Sequence, residues 1–155
     1  MTLFLVRHGE ALAEDVDTAR PLSEAGRKEA ELMAAFLSEI RVDEIRHSTK
    51  LRAKQTAEAF GARLGLKAAE AEGLSPMDDP SIWAAKLKLH TKNLMLVGHL
   101  PHLDRLGSLL LCGTATGGHM EFDPGTVLCL ESVGESWVLK YMISPWMIER
   151  KGLAV

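Results

Sequence analysis

A basic surplus, a disulfide framework and a long apolar run are all missing from this chain. Its 18 Lys and Arg stand against 21 Asp and Glu, a formal net charge of -3, which speaks against a general nucleic-acid binder, since such proteins usually carry a basic excess. The two cysteines, Cys112 and Cys129, form neither a C-x-x-C pair nor a framework of crosslinks, so both read as small buried hydrophobes. No window has the length of a membrane span. The apolar run at the amino terminus is shorter than a signal core and is followed at once by polar residues, so it does not read as a secretory leader. The expectation is a cytoplasmic protein with no membrane or nucleic-acid partner. With 46% hydrophobic and 25% charged residues over 155 positions, the composition is that of an ordinary globular chain, and the length suits one domain, 1–155, built on one core.

What is there is concentrated first in residues 3 to 10, Leu-Phe-Leu-Val-Arg-His-Gly-Glu. Leu3 to Val6 form a continuous apolar segment of strand length, as expected in a sheet covered on both faces. Arg7 and His8 then emerge at its carboxyl end, where open α/β sheets bind ligands, and Gly9 lacks the Cβ that would hold a substrate off the backbone. A neutral imidazole is a competent nucleophile toward phosphorus, and a planar, permanently charged guanidinium suits the charge that spreads over a phosphoryl group in transfer.

Further along, Ala11 to Arg20 reads as a loop closed by Pro21. Ser23 is a good N-cap for a helix whose buried face is Ala30, Met33, Leu37 and Ile40, with Gly26 weakening its start. Glu44 to Ser48 is a weak strand. Ser48 or Thr49 is expected to cap the next helix, with Ala53, Ala57, Phe60 and Leu64 buried and Gly65 as its stop. Arg52 falls in the first turn of that helix, where the dipole and free N–H groups favour an anion. Leu66 to Ala71 reads as a short strand and Glu72 to Pro80 as a loop, followed by a helix from Ser81 to about His90. Asn93 to His99 repeats the opening: an apolar strand ending in Gly98-His99, then Pro101 in the first turn of a helix carrying Leu103, Leu106, Leu109 and Leu110. If the two strands are parallel neighbours, His8 and His99 face one phosphate. Cys112 to Pro124 is a glycine-rich connection in which His119 is exposed. Val127 to Val133 and Trp137 to Ile143 read as a terminal hairpin, and Pro145 to Val155 offers only a packing role for Trp146.

Taken together, these residues resemble the histidine phosphatase superfamily, also called phosphoglycerate-mutase-like. The resemblance is carried by Leu5-Val6-Arg7-His8-Gly9-Glu10, by Arg20 to Gly26, by Ser48-Thr49-Lys50-Leu51-Arg52-Ala53-Lys54-Gln55-Thr56-Ala57 and by Val97-Gly98-His99-Leu100-Pro101, in the expected order. It implies a three-layer α/β sandwich: a mainly parallel central sheet, helices on both faces and a late antiparallel hairpin. It also implies that His8 becomes phosphorylated while Arg7, Arg52 and His99 form the phosphate pocket, with Gly9 and Arg20 at its edge and no metal or cofactor. Glu10 would orient the loop, since a carboxylate aimed at phosphate would repel it.

Within that family the chain most resembles the short SixA-type phosphohistidine phosphatases. Larger relatives insert a lid carrying an acidic proton donor near the third strand, whereas only Leu66 to Pro80 is available here, with Glu72, Asp78 and Asp79 as acid candidates. The expected substrate is a protein phosphohistidine, whose imidazole can leave already protonated, while an alkyl phosphoester needs an acid. A small phosphorylated molecule, hydrolysed or used in phosphotransfer, is the second reading. A noncatalytic phosphohistidine-binding module is a third. A metal hydrolase using His99, His102, His8, Glu10 and Asp104 is the weakest, because two arginines would oppose a cation.

Overall fold

Alternation in β1 (Thr2–Arg7) sets the layers: Phe4 and Val6 point into one apolar cluster, Leu3 and Leu5 into another. Successive strand side chains leave opposite faces, so the apolar run Leu3 to Val6 requires a cover on both sides. The computed structural model describes residues 1–149 and supplies both covers. On one face lie α1 (Glu24–Phe36), α2 (Leu51–Leu64) and the short α5 (Pro145–Glu149), contributing Met33, Ala57, Phe60 and Ile148. On the other lie α3 (Pro80–Leu89) and α4 (His102–Cys112), contributing Trp83, Leu87, Leu103 and Leu106.

The sheet between them has the order β3-β2-β4-β1-β5-β6. β2 (Glu44–His47), β3 (Ala68–Glu70) and β4 (Leu94–Gly98) run parallel to β1, and the hairpin of β5 (Val127–Val133) and β6 (Ser136–Ile143) closes one side antiparallel. This is the three-layer arrangement expected from the sequence. The central relationship is the pairing of β1 with β4, in register from Leu3 opposite Leu94 to Arg7 opposite Gly98. It brings the two strand-end histidines to the same sheet edge.

Local chemistry corrects several boundaries. Ser23 caps α1 as expected, accepting the Gly26 N–H at 3.0 Å. The helix ends at Phe36, so Ile40 packs on the core from the turn beyond it. Neither Ser48 nor Thr49 caps α2; Lys50 holds that position without a side-chain bond, and Ser48 is turned to the site. Gly65 stops the helix at φ 69°, the left-handed region glycine enters without strain. Asp79 caps α3, which therefore starts at Pro80 rather than Ser81, and Pro101 precedes α4 instead of lying in its first turn. Cys129 is buried but Cys112 is exposed at the end of α4. Residues 150–155 of the terminal segment lie outside the described residues.

Candidate active site

Backbone bonds fix His8 before its side chain is considered. Its N–H donates to Gly98 O at 3.1 Å and its carbonyl accepts the Gly125 N–H at 3.2 Å, so β4 and the approach to β5 hold it from both sides. The ring is then oriented by a donation from Nδ1 to the Gly9 carbonyl, 2.7 Å away. A carbonyl only accepts, so the proton is on Nδ1 and Nε2 keeps its lone pair. That lone pair receives Arg52 Nε–H at 3.3 Å. Burial, followed by the charges of Arg52, Arg7 and Arg20, pushes the His8 pKa down to about 4, against the raising effect of the Gly9 bond. At neutral pH the ring is an uncharged base with Nε2 presented to the cationic side of the pocket.

His99 stands opposite, with ring centroids 4.9 Å apart and planes tilted by 56°. It is 2% exposed. Burial, with His8, Arg52, Lys50 and His102 acting in the same direction, holds its pKa down to about 3. Its Nε2 lies 2.5 Å from the hydroxyl of the buried Ser48.

The arginines are held in different ways. Arg7 Nη1 donates to the Phe122 carbonyl, and its buried Nε has no protein partner. Arg52 is carried by α2 in the helix's first turn, as the sequence predicts. Arg20, at φ 48°, bonds through Nε to Leu12 O at 3.0 Å, and its charge reaches both His8 and Arg52. Three guanidinium groups and two neutral imidazoles thus converge where β1, β4 and α2 meet, an arrangement suited to an oxyanion with several peripheral oxygens.

The Gly9 backbone serves packing as well as access. A Cβ there would lie 2.6 Å from Gly26 O, and one on Gly26 would lie 2.0 Å from Glu10 O. The missing side chains let the loop after β1 rest on the first turn of α1. Glu10 stays out of the pocket: its Oε1 accepts the Ser23 hydroxyl at 2.6 Å, the orienting role expected of it.

The acid candidates sit on the loop before α3. Asp79 accepts the Ser81 N–H at 2.9 Å as a helix cap, and Asp78 accepts the Ser75 N–H at 2.7 Å. Glu72 and Asp78 line a groove of about 380 Å³ that reaches Thr49, next to Ser48. Of the residues weighed for a metal, Asp104 accepts backbone N–H groups of Gly118 and Met120, and His102 is fully buried rather than exposed. Among the described residues no three His, Cys, Asp or Glu side chains are grouped so as to hold a metal ion.

Two side chains were missed as individuals in the sequence. Thr56 Oγ1 accepts the Gly9 N–H at 3.1 Å while donating to Arg52 O at 2.8 Å, joining the His8 turn to the helical turn that carries Arg52. Ser48 touches His99. Both lie in the Ser48 to Ala57 block, but a hydroxyl's partner across the fold leaves no trace in spacing.

Known proteins resemble this chain in sequence and fold. A model of the histidine phosphatase superfamily (branch 1) matches residues 3–79. Phosphohistidine phosphatase SixA of Escherichia coli (strain K12) is 33% identical over 110 residues, which is 65% of this chain and 68% of that protein. The structure of the protein histidine phosphatase SixA complexed with tungstate superposes with a TM-score of 0.84 at 26% identity, covering 96% of this chain and 99% of that one. The α-ribazole phosphatase of Shigella flexneri, at 19% identity and a TM-score of 0.80 over 94% of this chain and 97% of that one, shares the fold. With the family model, the curated relative and the superposed fold in agreement, the chain belongs to the histidine phosphatase superfamily and is a phosphatase.

Proposed function

We propose that this phosphatase removes the phosphoryl group from a protein phosphohistidine, through a covalent intermediate on His8 and without a metal. The observation that carries the reading is the short connection from β3 to α3, residues 71–79, which leaves little chain to build a lid. An uncovered pocket admits a phosphorylated side chain that is still part of a folded protein. The curated relative named for phosphohistidine points the same way.

The steps follow from the side chains. The Nε2 lone pair of His8 attacks phosphorus as the phosphorus–nitrogen bond to the substrate imidazole breaks; the bonding pair stays on that nitrogen, and the imidazole departs neutral because its other ring nitrogen entered protonated. Arg7 and Arg52 take up the charge on the peripheral oxygens, with Arg20 at the rim and His99 donating one hydrogen bond. Water then attacks phospho-His8, giving inorganic phosphate and the free ring. The Gly9 carbonyl holds the Nδ1 proton throughout, so the attacking nitrogen is always Nε2.

A second reading is favoured by the groove beside Thr49. There Glu72 or Asp78 would protonate the alkoxide of a small phosphomonoester. Parallel assays with a phosphohistidine protein and a small phosphomonoester separate the two. A higher kcat/KM on the phosphoprotein is expected. A preference for the ester, lost in Glu72→Gln or Asp78→Asn, would transfer the assignment to small molecules.

A further inference from the structure

Ser48 is 1% exposed, beyond the last residue of β2, and takes no part in capping α2. Its Oγ lies 3.3 Å from the Lys50 backbone nitrogen and 2.5 Å from His99 Nε2. A backbone N–H can only donate, so Ser48 Oγ is the acceptor in the first contact; among the described residues His99 Nε2 is its one other hydrogen-bond partner, so the hydroxyl proton has an acceptor only when directed there. Nε2 must then carry the lone pair. The proton of the neutral ring is left on Nδ1, which is buried and has no partner in the protein.

We propose that Ser48 is a positioning residue that fixes His99 as the Nδ1–H tautomer, so that Nδ1–H is the bond His99 offers to the phosphoryl group. This deepens the phospho-His8 reading and rests on it for its chemistry. The two tautomers of a free imidazole interconvert readily, and which one a protein holds is set by what the other nitrogen bonds. Here the hydroxyl supplies that second bond. A buried N–H without an acceptor is costly, and the cost is relieved when an oxygen arrives. The donation is therefore made to the reacting group rather than to water, and it favours transfer because it strengthens as negative charge develops on the phosphoryl oxygen in the transition state. The two histidines are complementary: His8 donates a hydrogen bond from Nδ1 to a carbonyl and keeps Nε2 unprotonated, and His99 accepts a hydrogen bond at unprotonated Nε2 and keeps Nδ1–H as donor.

The test reads imidazole nitrogens by long-range proton–nitrogen NMR correlation in the full-length protein, with His99 assigned through its absence in His99→Asn, before and after addition of inorganic phosphate. The wild type should show a protonated Nδ1 and a bare Nε2 at His99, with phosphate moving the Nδ1–H signal. Ser48→Ala removes one oxygen and adds no bulk; it should populate the Nε2–H form and lower kcat by up to roughly a hundredfold with KM little changed, the lower end of what loss of one oriented donor costs. Ser48→Thr keeps the hydroxyl and should restore the tautomer and most of kcat. A wild-type His99 protonated on Nε2, a switch to Nε2–H when phosphate binds, or an unchanged kcat in Ser48→Ala would each overturn the proposal. Absence of wild-type turnover on any phosphorylated substrate would sink the phospho-His8 reading instead, while the tautomer is read in the resting protein.

Discussion

Gly9 and Gly26 meet backbone to backbone: a Cβ on Gly9 would approach Gly26 O to 2.6 Å. The contact seats the loop carrying the site on the helix that follows it. Gly26→Ala, whose Cβ would fall 2.0 Å from Glu10 O, must displace that loop. Overpacking of this kind costs about 1–3 kcal/mol. Chemical denaturation should show the loss, and kcat should fall with it because Glu10 is two residues from His8. A variant as stable and active as the wild type would mean that the contact is slack.

Protonation of the site gives a second expectation. His8 and His99 titrate near 6.5 when unfolded and are lowered to about 4 and about 3 in the folded chain, chiefly by burial. Between those values the unfolded chain binds more protons, so their contribution to stability is full above pH 6.5 and is lost as pH falls toward 4 for His8 and toward 3 for His99. His99→Asn should flatten the fall in stability across that window. For the same reason the acid limb of kcat/KM belongs near pH 4, not near 6.5. An inflection near 6.5 that persists after the ionisation of the substrate's own phosphoryl group is accounted for would show that His8 is not held as an uncharged base.

Arg52→Lys keeps one positive charge but loses the planar fork and the Nε–H that meets His8 Nε2 at 3.3 Å. We expect kcat/KM to drop at least about tenfold, with little change in melting temperature, because a point charge does not replace a guanidinium at a phosphoryl group. Equal activity in the two forms would reduce Arg52 to a source of field.

Asp104 is tied to the loop rather than to the pocket. It accepts from Gly118 N–H, Met120 N–H and the Ser108 hydroxyl, and the same loop supplies the Phe122 carbonyl that Arg7 bonds. Asp104→Ala should cost about 1–3 kcal/mol, chiefly by leaving the buried Ser108 hydroxyl and the part-buried Met120 N–H without this acceptor. Faster amide exchange at Gly118 and Met120, with KM raised more than kcat is lowered, is the signature expected.

The sheet and its edge were legible in the sequence for a physical reason. Leu3 to Val6 and Leu94 to Val97 are apolar at every position, which demands cover on both faces, and the histidines follow each run immediately. The bounds of α2 were harder to read. Ser48 has the chemistry of an N-cap, and only its distance to His99 shows that its hydroxyl is used elsewhere. Gly26 reads as a weak helix start because its reason, Glu10 O, lies across the fold. Cys112 looks like a core residue by type but falls at the exposed end of α4.

The most direct measurement is rapid-quench trapping of the protein with a phosphohistidine protein, in excess chelator, for the wild type and His8→Ala. The wild type should accumulate an acid-labile, base-stable phosphoenzyme whose phosphate maps to His8 and whose decay matches phosphate release, and His8→Ala should give neither. Full turnover by His8→Ala, or wild-type turnover that vanishes in chelator, would contradict the account.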